Sequence, residues 1–162
     1  MATDSHYREP AMEYLRGLGY DPEWVNTPAD IMATMEGREY WIEVKGTGDE
    51  EEAFGAATVT EWMCAYENRE NFHFLIANKP GIESEGYDES TSTTEWSFEL
   101  VPPEVMMTYS RISPPQLKFT FPLNNPERRP PKRRTAIRAT WENIEALNNF
   151  VQSLRDVGSE EE

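Results

Sequence analysis

Residues 28–47, PADIMATMEGREYWIEVKGT, hold two short runs of strand-forming residues on either side of Glu36-Gly37. Ile31 to Met35 and Glu39 to Lys45 are expected to pair as a β-hairpin. Along the second run side chains alternate, so Tyr40, Ile42 and Val44 take one face while Trp41, Glu43 and Lys45 take the other. If Glu36-Gly37 is a two-residue turn, Met35 pairs with Arg38, and counting outward from that pair sets Asp30 opposite Glu43. Their Cβ atoms would then stand roughly 4.5–5.5 Å apart. Two carboxylates at that distance repel unless a cation lies between them. A divalent ion with oxygen ligands is the natural candidate, since Mg²⁺ is commonly held by one or two carboxylates together with waters and substrate phosphate.

The rest of the chain bounds what such a site could serve. With 162 residues and 38% hydrophobic content, it is long enough for one soluble domain with its own core. The longest apolar run, near Phe74 to Ala77, is far too short for a membrane span, and the first residues, MATDSHYREP, lack the apolar segment of a secretory signal. A cytoplasmic protein with no membrane partner is therefore expected. A single cysteine, Cys64, and two histidines, His6 and His73, argue against zinc and leave oxygen ligands for any metal.

The formal net charge is -15, a field that repels nucleic acid unless cations are locally concentrated. Acidic residues gather at 49–52, 83–89 and 160–162. Six of the fifteen Lys and Arg gather instead in ERRPPKRRTAIR, residues 127–138: Arg128, Arg129, Lys132, Arg133, Arg134 and Arg138. Pro130-Pro131 would hold this stretch extended, able to follow successive phosphates. The bland readings are a soluble acidic surface and a basic counterweight to it; the sharper reading of the acidity is mimicry of DNA.

Periodicity orders the elements. REPAMEYLRGL, 8–18, predicts a first helix through Ala11, Met12, Leu15 and Leu18, stopped by Gly19. A short strand at 23–26 and the hairpin follow, with GTGDEEEAFGAA, 46–57, read as a loop. TVTEWMCAYENRE, 58–70, predicts a second helix opened by a capping box, Thr58 and Glu61 each accepting from the other's backbone N–H. Structure is preferred to catalysis for that pair. Trp62 and Tyr66 are expected in the core, and FHFLIA, 72–77, as a strand buried on both faces, with His73 a satisfied buried histidine. EWSFELV and LKFTFPL read as further strands around a short helical PEVMMTYS. A closing amphipathic helix, 139–157, is read from a stripe of Ile137, Trp141, Ile144, Leu147, Val151 and Leu154. The segments are thus a core over 8–78, additional strands and loops over 79–126, the basic segment and the last helix, within one domain.

Asp30, twelve residues, then Glu43-Val44-Lys45 resembles the active-site motif of the PD-(D/E)xK nuclease superfamily, and the order αβββαβ is similar to that superfamily's restriction-endonuclease-like core. Residues 9–78 more narrowly resemble the nuclease-like domain at the C-terminus of the plant protein NO VEIN, through EPAMEYLRGLGY, PADI, YWIEVKGT and TVTEWMCA ahead of FHFLIA. The proline of the motif is Pro28, separated from Asp30 by Ala29. The resemblance implies an α/β fold with a mixed central sheet and a metal-dependent endonuclease acting on nucleic acid, DNA being expected. It implies Mg²⁺ or Mn²⁺ held by Asp30, Glu43 and the Val44 carbonyl, with Lys45 at the scissile phosphate and Glu13 as an added acidic residue. Cutting both strands with one site per chain implies a homodimer. The competing readings are an ion pair on a solvated sheet for Glu43 and Lys45, a solvent-facing helix residue for Glu13, and a non-catalytic or DNA-mimic module that docks a DNA-binding protein.

Overall fold

The computed structural model describes residues 4–48, 52–80, 82, 95–113, 116–122 and 137–160. In chain order they form α1 (Asp4–Gly17), β1 (Asp21–Trp24), β2 (Ile31–Met35), β3 (Arg38–Thr47), β4 (Glu52–Thr58), α2 (Val59–Glu67), a 3₁₀ turn (Arg69–Asn71) and β5 (Phe72–Asn78). These are followed by β6 (Ser97–Val101), α3 (Pro103–Thr108), β7 (Ser110–Ser113), β8 (Gln116–Pro122), β9 (Ile137–Arg138) and α4 (Trp141–Glu160).

Glu36 and Gly37 take φ of 53° and 78°, the left-handed pair whose twist matches the strands of a two-residue hairpin. The register follows: Met35 pairs with Arg38 and Ile31 with Ile42, which carries Asp30 one step past the ladder toward Glu43. On the far edge of β3 the ladder changes direction, and β5 lies parallel to it from Trp41↔Phe72 to Thr47↔Asn78. The sheet order β1-β2-β3-β5-β6 is mixed, as expected, and with α1 and α2 makes an αβββαβ core.

Each face of this sheet has its own core. Tyr7, Ala11, Met12 and Leu15 of α1 cover Ile31, Ala33, Ile42, Val44, Leu75 and Ala77. The opposite face packs Trp62 and Ala65 of α2 against Phe72, Phe74, Ile76 and Val101, with Ile144 and Leu147 of α4 in the same cluster. Trp62 is central, with ring centroids 5.0 Å from Phe74 and 5.7 Å from Trp141. β5 is therefore buried on both sides, which its nearly continuous apolar sequence requires.

Several expectations need correction. The segment read as a loop contains β4, which pairs with β8 in a second sheet of order β4-β8-β7-β9. Its small residues conceal the strand signal but suit the packing: a Cβ on Gly55 would meet the Phe119 ring at 2.6 Å. β7 was hidden by its four-residue length. Ile137 belongs to β9, opposite Ile112, and not to the last helix, which begins at Trp141. α1 starts earlier than residue 8 because Tyr7, packed against Trp24 and Trp96, extends its apolar stripe by a turn. Tyr66 is 38% exposed, its ring against Trp141 at the rim of the core. His73 is only partly buried and its Nδ1 has no hydrogen-bond partner among the described residues, so it is not the satisfied histidine expected. Most of the basic stretch, 127–136, and the acidic clusters at 49–51 and 83–89 lie outside the described residues.

The turn gives the first test. Gly37→Ala should destabilise the protein by about 1–2 kcal/mol, because a Cβ opposes the left-handed φ, whereas Glu36→Asn, better suited to its own positive φ, should be neutral or stabilising. Urea denaturation of both variants checks the pair of signs.

Candidate active site

Asp30 is held through its backbone before its side chain does anything. Its carbonyl accepts from the Val25 and Asn26 N–H groups at 2.8 and 3.1 Å, folding the 25–30 segment back on itself. Its own N–H donates to Glu43 Oε2 at 3.2 Å, and its Oδ2 accepts from the Val44 N–H at 3.0 Å. The two carboxyl groups that the hairpin register sets opposite each other are thus tied crosswise, each to the other strand's backbone. Val44 contributes that N–H while its side chain lies in the α1-side core.

Glu43 and Lys45 share the α2 face, as the alternation requires. Lys45 does not turn chiefly to Glu43, whose Oε1 is 3.9 Å from the ammonium. It donates to Glu61, at 2.6 Å to Oε2 and 3.0 Å to Oε1. Glu61 sits in the first turn of α2 and also closes the expected capping box: its Oε1 accepts from the Thr58 N–H at 2.9 Å, while the Thr58 hydroxyl accepts from the Glu61 N–H at 3.2 Å. One carboxylate therefore holds both a helix start and the lysine of the motif. Side-chain exposures of 11% for Glu43, 17% for Lys45 and 16% for Glu61 show a recessed cluster, not a solvated sheet surface.

Asp30, Glu43 and Glu61 gather around the Lys45 ammonium. Burial pushes the Glu43 carboxyl up to about 10, with the Glu61 charge, a hydrogen bond to Glu61 and the Asp30 charge adding to it and Lys45 opposing. Burial also acts on Glu61, but the Lys45 ammonium and the hydrogen bonds from Glu43, Lys45 and Thr58 overcome it and hold that carboxyl below its ordinary value. The Lys45 ammonium, turned chiefly to Glu61, does not bring the Glu43 carboxyl back to its ordinary value.

The structure brings Asp30, Glu43 and Lys45 together. Glu13 stands exposed on α1, which covers the other face of the sheet, and makes no hydrogen bond or ion pair with the three among the described residues. Arg138 is in β9, its backbone opposite Arg111. Arg128, Arg129, Lys132, Arg133 and Arg134 lie outside the described residues. Glu61 is the member that sequence reasoning assigned only to a cap. Its position three residues after Thr58 announces the cap; nothing local announces the lysine.

An αβββαβ core thus sets an acidic pair and a lysine together, Asp30 just ahead of β2 and Glu43 and Lys45 on β3. A family model described as Protein NO VEIN, C-terminal matches residues 6–86, and the chain belongs to that family. No curated protein matches it. Among solved structures, it is similar to a Holliday junction resolvase from the archaeal hyperthermophile Archaeoglobus fulgidus, at 16% identity and a TM-score of 0.41 over 68% of this chain and 85% of that one. No helix among the described residues is long and apolar enough to cross a membrane.

The raised Glu43 carboxyl carries a sign for stability. The folded chain keeps a proton that the unfolded chain releases, so this contribution is fully present below the ordinary carboxyl value of 4.5 and is lost as pH rises toward about 10. The lowered Glu61 acts in a different window, below its ordinary value. Wild type measured without divalent ions should therefore lose melting temperature between pH 5 and pH 10, and Glu43→Gln should flatten that slope. Parallel slopes in the two proteins would contradict the assignment.

Proposed function

We propose that the chain is a Mg²⁺-dependent phosphodiesterase, an endonuclease acting on nucleic acid with DNA as the expected substrate. The observation that carries the reading is the recessed Asp30–Glu43 pair beside Lys45, two carboxyl groups tied crosswise to each other's strand with an ammonium 3.9 Å from one of them. Family membership supports it.

The residues fit a divalent ion of the Mg²⁺ kind. No group of three His, Cys, Asp or Glu among the described residues is arranged to cage a metal by itself, and Mg²⁺ needs no such cage, because it takes most of its ligands from water and phosphate. Asp30 and Glu43 would hold it, the Val44 carbonyl being a third candidate, and Mn²⁺ could take the same place. Such an ion would supply polarisation of a phosphoryl oxygen and a lowered pKa for the attacking water.

The chain's own contribution is electrostatic and positional. The crossed hydrogen bonds fix the Asp30 and Glu43 carboxyl groups before any substrate arrives, so little reorganisation accompanies the reaction. Lys45 brings a positive charge within reach of a phosphate seated on this pair, where it offsets negative charge that builds up as the phosphodiester is attacked and helps to orient the attacking water. Partial burial strengthens both effects by excluding bulk water. The sequence segment Arg128, Arg129, Lys132, Arg133, Arg134 and Arg138 would supply the local positive surface that a protein of net charge -15 needs to approach a polyanion. Two copies would be required to cut both strands at once.

That same net charge favours a second reading, a non-catalytic module whose acidic surface docks a DNA-binding protein. Cleavage separates the two. Asp30→Asn and Lys45→Ala should each lower Mg²⁺-dependent nicking of DNA by at least about 100-fold, with the circular dichroism spectrum retained. Nicking that survives either substitution would remove that residue from the chemistry. A wild type that neither nicks nor binds DNA, yet binds a basic DNA-binding protein in a salt-sensitive way, would establish the second reading.

A further inference from the structure

Lys45 has two carboxylates in reach and is held by the one that the metal site does not need. The Lys45 ammonium lies 2.6 Å from Glu61 but 3.9 Å from Glu43. Glu61 can do this because its backbone and side chain are both fixed at the start of α2: the Thr58 cap anchors its N–H and its Oε1. The packing of α2 fixes the helix in turn, with Trp62, the next residue, fully buried against Phe74. Were Glu61 uncharged, the nearest remaining carboxylate for the ammonium would be Glu43, and an ammonium bound there would occupy, in charge and in space, the place of a divalent ion. An opposite charge at contact distance in a recessed site outweighs any preference for water, so the lysine would not stay apart from Glu43 unaided.

We propose that Glu61 is a positioning residue that keeps Lys45 off the Asp30–Glu43 pair and so leaves that pair open to a divalent cation. This rests on the proposed metal-dependent reading and adds a residue to it. The capping box and the metal site are then one device: the N-terminus of α2 sets how far the lysine stands from the ion. The geometry also separates this role from a capping role. Glu61→Gln keeps an acceptor for the Thr58 N–H, since Gln serves in a capping box as Glu does, but removes the charge that holds Lys45. Thr58→Ala does the reverse.

The test reads metal binding directly, as the concentration of Mn²⁺ at which the melting temperature is half-way through its metal-induced rise. Glu61→Gln should shift this midpoint upward by roughly tenfold or more, in line with the effect of removing a partner that orients a metal site. Thr58→Ala should lower the melting temperature and leave the midpoint within about twofold. The decisive comparison is the Lys45→Met background, where there is no ammonium to misplace and Glu61→Gln should move the midpoint by less than about threefold. A midpoint unchanged in Glu61→Gln overturns the proposal while leaving the metal reading intact. The same large shift with and without Lys45 also overturns it, since Glu61 would then act on the ion by its own charge. No Mn²⁺-induced rise in wild type would overturn the metal reading and this proposal with it.

Discussion

The register of β2 against β3 is the constraint on which the rest of the molecule depends. Side chains on a strand alternate, so a slip of one residue would exchange the contents of the two faces. Ile42 and Val44 would leave the α1 core, and Glu43 and Lys45 would be driven into it. The Glu36–Gly37 turn sets the pairing at Met35↔Arg38, and the crossed bonds between Asp30 and the Glu43–Val44 segment secure it five residues further along each strand. The same hydrogen bonds that place the acidic pair therefore also close the hairpin, and stability and site geometry cannot be separated there.

Burial makes the site costly and useful for one reason. Removing carboxylates from water disfavours their charge, and three of them around one ammonium cannot all be satisfied by it. The recess answers this with Lys45 bound to Glu61 and the Glu43 carboxyl pushed up. A cation of higher charge is the alternative solution, and in the same recess its attraction to the pair would be least screened.

The second face of the sheet shows how distant packing reaches the chemistry. α2 is clamped by Trp62 between Phe74 and Trp141, so α4, near the end of the chain, helps to fix the helix whose first turn carries Glu61. Arg69 stacks on both Tyr66 and Trp141, with its guanidinium 4.7 Å from each ring centre, and ties the far end of α2 to α4. The site is thus supported at both ends of α2 by residues that never touch it.

Much of this was legible in the chain. The hairpin, its turn, the facing of Asp30 toward Glu43, the common face of Glu43 and Lys45, the capping box and the doubly buried β5 all follow from local rules: two-residue alternation, left-handed φ at a Glu-Gly turn, and the reach of a side chain three residues along a helix. What the sequence could not state is anything that depends on elements distant in the chain meeting in space. β4 has too few bulky residues to announce a strand, and it exists because β8 offers it a ladder and Phe119 fills the space above Gly55. Ile137 continues a helical stripe on paper but pairs with Ile112, because β7 presents an open edge there. Glu61 reads as a cap and no more, since its bond to Lys45 spans sixteen residues and depends on α2 packing over β3 and β5. Local pattern determined which side chains share a face; only the tertiary packing decided which charges meet across it, because the energy of a buried ion pair is set by distance and by the water excluded around it.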